Sequence, residues 1–165
     1  YTLKDQSGNT SSTLLRVTVI DTISPIVKTK TTTLYLNQYG FAVLNPVDID
    51  ANSTDNCRIS GRTVSQAVFT CGELGNRVTS LTVFDPSGNS STASVQINVI
   101  DTLVPRNKTR NPTVYLDQNG IGRLSIFDVD NGSADNCGVA KSSISKDNFY
   151  CFERGKQTVD FSSTD

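Results

Sequence analysis

Two decapeptides carry most of the chemistry this sequence offers. Residues 48–57 read DIDANSTDNC and residues 128–137 read DVDNGSADNC. Each places three carboxylates before a cysteine: Asp48, Asp50 and Asp55 before Cys57, and Asp128, Asp130 and Asp135 before Cys137. In extended backbone, alternate residues share a side. Asp48 and Asp50 therefore point together, as do Asp128 and Asp130, and Asp55 or Asp135 can complete a trio. Hard cations such as Ca²⁺ take about six to eight oxygen ligands, which makes these six aspartates candidate metal ligands and calcium the candidate cofactor. The same residue types also build Asx turns at strand ends, and both readings stay open. A second acidic set comprises Asp21 and Asp101 in VIDT, with Asp5 and Asp85 at the SGN turns and Asp165 at the equivalent position of the last copy. These boundary carboxylates either share a cation between neighbouring units or cap turns.

Each phrase's cysteine has a companion 14 positions on, giving Cys57 with Cys71 and Cys137 with Cys151. The chain has no histidine and no CxxC pair, so neither a zinc site nor a cysteine nucleophile with a His base is expected. The expectation is a structural disulfide within each copy, Cys57–Cys71 and Cys137–Cys151. A loop of that size is worth about 3 kcal/mol in the chain-entropy model. Disulfides imply an oxidising compartment, hence an extracellular or cell-surface location. No phosphate loop, Ser-His arrangement or HExxH is present, and paired carboxylates recurring in every copy do not make a glycosidase cleft. The sequence predicts no enzyme. N-x-S/T triplets begin at Asn9, Asn52, Asn89, Asn107 and Asn131, all in expected loops, and are candidate N-glycosylation sites. Thr22 and Thr102 lie in Asp-Thr-aliphatic triplets, a candidate O-glycosylation pattern.

The elements that position these groups follow from a repeat. Cys57 and Cys137, Cys71 and Cys151, and Phe69 and Phe149 are each 80 residues apart. At the same offset VTVIDTISP (17–25) lies on INVIDTLVP (97–105), and LYLNQYG (34–40) lies on VYLDQNG (114–120). Roughly a third of aligned positions are identical and no gap is needed, the mark of an array of small folded units. The frame divides the chain into residues 1–21, the C-terminal strands of a preceding repeat; residues 22–101, one complete repeat; and residues 102–165, a repeat lacking its last strand. The chain reads as cut from something longer.

Within a copy, Ala93, Val95, Ile97 and Val99 alternate with polar residues, which predicts a half-buried strand. Leu15, Val17 and Val19 do the same. A hairpin is expected over 77–84 and 90–100 around DPSGN. Further strands are expected near 33–37, 41–49 and 58–68, with an edge segment after Pro25. Six or seven strands per copy, with no sustained helical period, predict an all-β protein of tandem antiparallel immunoglobulin- or fibronectin-III-like sandwiches. Thr- and Val-rich composition agrees. A net charge of −1 without basic runs excludes a nucleic-acid footprint, and no apolar stretch is long enough for a membrane span.

With DxDNGSxDNCG, FTC at 69–71 and LTVFDPSGNSS at 81–91, the chain resembles the hyalin-repeat (HYR-like) and related immunoglobulin-like modules. The resemblance implies a sandwich fold, tandem arrangement in large secreted or surface proteins, and an adhesive or spacer role without catalytic residues. Relatives often carry another cysteine in the last strand. SSTASVQINV has none, which leaves one bridge per copy. The expected function is a structural or adhesive module of a stalk, adhesin or filament. Its partners are neighbouring repeats or head-to-tail copies, the latter through donor-strand assembly into a fibre. The rival is a glycan- or protein-binding module using loops at one end, with Tyr39-Gly40-Phe41 the aromatic candidate.

Overall fold

The computed structural model describes all 165 residues. The chain is built from strands, with a single four-residue α-helix. β1 (Thr2–Lys4) and β2 (Thr10–Ser12) form a hairpin over DQSGN with Thr2 opposite Ser12. Gly8 closes that turn at φ +90, a region only glycine enters freely. Beyond it, the half-buried strand expected through Leu15, Val17 and Val19 does not form: no strand pairs with residues 13–21, and Leu14, Leu15, Val17, Val19 and Ile20 are exposed.

The middle stretch holds the main core. β3 (Thr32–Tyr35), β4 (Phe41–Val43), β5 (Gly61–Val64), β6 (Val68–Thr70), β7 (Gly75–Phe84) and β8 (Ser90–Ile100) follow in order. One sheet runs β3-β8-β7-β5 and the other pairs β4 with β6. Leu34, Leu81, Val83, Val95, Ile97 and Val99 from the first sheet meet Ala42 and Phe69 from the second, with Leu36, Leu44 and Ile49 closing the sides. The result is a curled sandwich, and the alternation along β8 decides which face is buried.

Four further details differ from the sequence reading. The pairing of β3 with β8 is parallel, whereas every other named pair is antiparallel. The strand expected over 41–49 stops at Val43, because Asn45 caps a 3-10 turn over Pro46–Asp48 and accepts from the Val47 amide at 3.3 Å; the proline ring suits a helical first turn. The strand expected over 58–68 divides into β5 and β6 across Ser65–Ala67. Finally, one helical turn forms at α1 (Ile126–Val129), where the Asp128 carboxylate accepts from the Ser125 amide and hydroxyl at 2.9 and 2.6 Å.

The last stretch repeats part of this plan. β9 (Ile121–Arg123) pairs with β11 (Asn148–Tyr150), with Gly122 opposite Phe149 as Ala42 is opposite Phe69. β10 (Lys141–Ile144) pairs with β12 (Phe161–Thr164), and Lys141↔Thr164 matches Gly61↔Phe84. Residues 112–115, aligned with β3, form no strand. The reason is pairing: β3 bonds only to β8, and the chain has no residues aligned with β8 here. In that position lies a groove of about 1020 Å³ whose apolar lining includes Val114, Leu116, Leu124, Val129, Phe149 and Phe161.

Candidate functional site at the repeat boundary

The functional side chains gather where one copy of the repeat gives way to the next. Asp101 follows the end of β8, and its Oδ1 accepts from the Leu103 amide at 3.1 Å, an Asx turn that redirects the chain. The phrase ADNC then returns to meet it: the Asn136 carboxamide donates to Asp101 Oδ1 at 3.1 Å and to the Asn37 carbonyl at 3.3 Å. Asn37 opens the NQYG turn between β3 and β4, where its Oδ1 accepts from the Tyr39 amide at 2.9 Å. Gly40 completes that turn at φ +75, and a Cβ there would meet Asn136 O and Cys71 Sγ, both at 2.8 Å. Glycine is required twice over, by the dihedral and by the close approach.

This approach joins Cys71 to Cys137 in a disulfide across 66 residues of sequence, while Cys57 and Cys151 are free and exposed. The expected bridges within each copy, Cys57–Cys71 and Cys137–Cys151, are therefore corrected. Cys71 leaves β6 at the end of the unit nearest the NQYG turn, and the cysteine that faces it belongs to the following phrase, not its own.

The acidic groups are also redistributed. Asp48, Asp50 and Asp55 do not converge, nor do Asp128, Asp130 and Asp135. Ser53 donates to Asp50 Oδ1 from its amide at 2.9 Å and its hydroxyl at 2.6 Å, and Arg62 reaches Oδ2 at 2.6 Å. Burial pushes the Asp50 carboxyl up, but these Ser53 and Arg62 partners outweigh it and hold the group below the ordinary carboxylate range. Asp130 is held low chiefly by the Ser133 amide, and Asp128 by the Ser125 hydroxyl. The carboxylates of Asp50, Asp128 and Asp130 shape their loops.

Asp55 and Asp135 instead meet the boundary set. One oxygen each from Asp21, Asp55 and Asp85 lie within 4.8 Å of one another, and Asp101, Asp135 and Asp165 do the same. Asp85 is 3% exposed and its carboxylate is gripped by Asn89, whose amide and side chain donate at 2.8 and 2.7 Å. The Asn89 carboxamide also reaches the Asp21 carbonyl at 3.1 Å. Asp55 Oδ2 accepts from the Cys57 and Arg58 amides at 3.0 and 3.1 Å. Asp21 Oδ2, Asp55 Oδ1 and Asp101 Oδ2 are buried with no hydrogen-bond partner. Converging, orphaned carboxylate oxygens are what a hard cation would satisfy, so the donor set fits calcium. The Ile23 amide, followed by Asn56, holds the Asp21 carboxyl low. The Asp21 carboxylate in turn pushes the neighbouring Cys57 thiol up.

Among the candidate glycan acceptors, Asn52 and Asn131 sit on exposed loop tips, and Thr22 and Thr102 are exposed beside the trios. Asn9 grips Asp5 as Asn89 grips Asp85, and Asn107 bonds the Phe161 carbonyl at 3.5 Å. Tyr39 and Phe41 stack with centroids 6.4 Å apart on the turn that Gly40 turns toward the boundary. The sequence reading assigns no boundary contact to Gly40, Asn136 or Asn89. The first two recur as Gly120 and Asn56, so the repeat itself held that signal.

Fold and site together define an all-β chain whose sandwich is tied covalently to the next stretch at an acidic boundary. The chain is 31% identical over 149 residues to hyalin of Strongylocentrotus purpuratus, covering 85% of this chain and 12% of that protein. It is 28% identical over 135 residues to hyalin of Lytechinus variegatus, covering 77% of this chain and 25% of that one. These likenesses give the chain a hyalin-repeat-like relationship, and the chain spans a quarter or less of either relative's length. No family model matches, and no solved structure does. No helix is long and apolar enough to cross a membrane.

Proposed function

We propose that the chain is a stretch of an extracellular, non-enzymatic array of tandem sandwich units. In this reading residues 22–101 are one unit, flanked by parts of its neighbours, and the array serves as a structural and adhesive stalk or filament. The observation that carries this is the boundary itself: the Cys71–Cys137 bridge and the Asp101, Asp135 and Asp165 carboxylates meet where one copy hands over to the next. A bridge and a shared cation both resist bending between units, which is the mechanical property a stalk requires. The likeness to hyalins and the disulfide support an oxidising, extracellular setting.

Calcium is the proposed ligand of the two trios. The test is a thermal melt in millimolar calcium against chelator. Calcium should raise the midpoint by several degrees, since a ligand that binds only the folded state stabilises it by mass action. D55N/D135N, which keeps an oxygen for the Cys57 and Cys137 amides, should lose that response, while D50N/D130N should keep it. Superposed melts for the unsubstituted chain would remove calcium from the proposal.

A further inference from the structure

The free cysteines repeat the surroundings of the bonded ones. Cys151 Sγ lies 3.7 Å from the Gly120 carbonyl, as Cys71 Sγ lies 3.6 Å from that of Gly40. Gly120 has φ +77, and a Cβ there would meet Cys151 Sγ at 2.6 Å. At the other end, the Asn56 carboxamide bonds Asp21 Oδ1 at 3.1 Å and Cys57 Sγ at 3.6 Å. Asn136 makes the same two bonds, to Asp101 and Cys137, at the same lengths. Each free thiol thus sits in one finished half of the Cys71–Cys137 junction: Cys151 in the half that receives, Cys57 in the half that inserts.

We propose that both free cysteines are half-cystines whose partner is a further copy of this repeat. Cys151 pairs with the cysteine of a following DNC phrase, and Cys57 pairs with the cysteine that ends β6 in a preceding copy. Every unit is then stapled to both neighbours, and a pull along the array passes through covalent bonds at each junction. This goes beyond the array reading while resting on it. Formation needs an oxidant, a small-molecule disulfide such as oxidised glutathione. The Cys151 thiolate attacks it, releasing one glutathione and leaving a mixed disulfide. The incoming thiolate then displaces the second glutathione as the protein disulfide closes.

The decisive experiment lengthens the chain by inserting a second copy of residues 22–101 after residue 101, refolds it in a glutathione redox buffer, and counts thiols. The present chain has two free cysteines. The inserted copy adds two more, yet the lengthened chain should still titrate only two, and peptide mapping should join each FTC cysteine to the next DNC cysteine. Four free thiols, or a bridge within the inserted copy, overturns the proposal. If the lengthened chain does not fold, C57S and C151S variants of the present chain decide. Mixed, they should form a disulfide dimer through the Cys151 of one and the Cys57 of the other, while neither forms one alone. Equal dimer yields from each variant alone overturn it. Thiol counts are blind to calcium, so this inference and the calcium proposal fail separately.

Discussion

The Cys71–Cys137 bridge should dominate the stability of this chain, and its removal gives a quantitative test of the pairing. The bridge closes a loop of 66 residues. In the chain-entropy model such a loop restrains the unfolded chain by about 4 kcal/mol, against about 3 kcal/mol for a 14-residue loop. With a urea slope of about 2 kcal/mol/M for a small protein, the transition midpoint should fall by about 2 M in C71S/C137S. C57S/C151S should leave it within a few tenths molar, because both side chains are exposed and unbonded. Equilibrium urea unfolding followed by far-ultraviolet dichroism makes the comparison, with non-reducing peptide mapping on the same samples. The within-copy pairing predicts a different pattern: C57S/C151S breaks both bridges, and the two double variants lose stability alike. Equal losses would therefore refute the long-range pairing.

Three further outcomes are specific. Phe69 is fully buried among eleven core residues whereas Phe149 belongs to a cluster of three, so Phe69→Ala should cost about 3–5 kcal/mol and Phe149→Ala distinctly less, by urea unfolding. Asp50→Ala strips partners from Ser53 and from the Arg62 guanidinium and should cost about 2 kcal/mol, whereas Asp130→Ala should cost less, because Ser142 stands where the middle copy has Arg62. On pH, hydrogen bonds hold the carboxyls of Asp21, Asp50, Asp128 and Asp130 below the ordinary aspartate range. A depressed carboxyl stabilises the fold fully above its unfolded pKa, and the contribution is lost as pH falls through the folded one. Melting midpoints should be level from neutrality to about pH 5 and drop below about pH 4, and a decline beginning at neutral pH would contradict the assignment.

The hairpin and the main core were legible because period-2 alternation states a strand's buried face and SGN states its turn. Val95, Ile97 and Val99 needed nothing beyond their spacing. The acidic phrase was legible as chemistry but not as geometry. Asp50 lies close in sequence to Asp48 and Asp55, but Arg62, arriving on β5, claims its free oxygen, and no local pattern announces that contact. The cysteine pairing was hidden for a stricter reason. In a sequence of period 80, spacings of 14 and 66 are complementary parts of one repeat. Bridges inside each copy and bridges between copies therefore leave the same cysteine pattern. Only the end of the sandwich at which Cys71 emerges separates them.

In the array proposed above, that degeneracy bears on how load is carried. A bridge inside each unit would protect the sandwich and leave the linker as the weak element, stiffened only by Pro25 or Pro105. A bridge from β6 to the next DNC phrase moves the constraint to the boundary, alongside the turn at Asp101 and the Asn136 bonds to Asp101 and Asn37. The sandwich then relies on its own core, and the middle copy has eleven buried residues to do so. The orphaned oxygens fit the same logic, since a carboxylate trio drawn from both sides of a boundary costs repulsion in every copy unless something positive sits between them. Reducing agent and chelator should therefore act on one property, the flexibility between units, and act together more strongly than the sum of each alone. Small-angle scattering can measure this: the radius of gyration should rise slightly with either agent and markedly with both, and strictly additive changes would mean that bridge and trio restrain different motions.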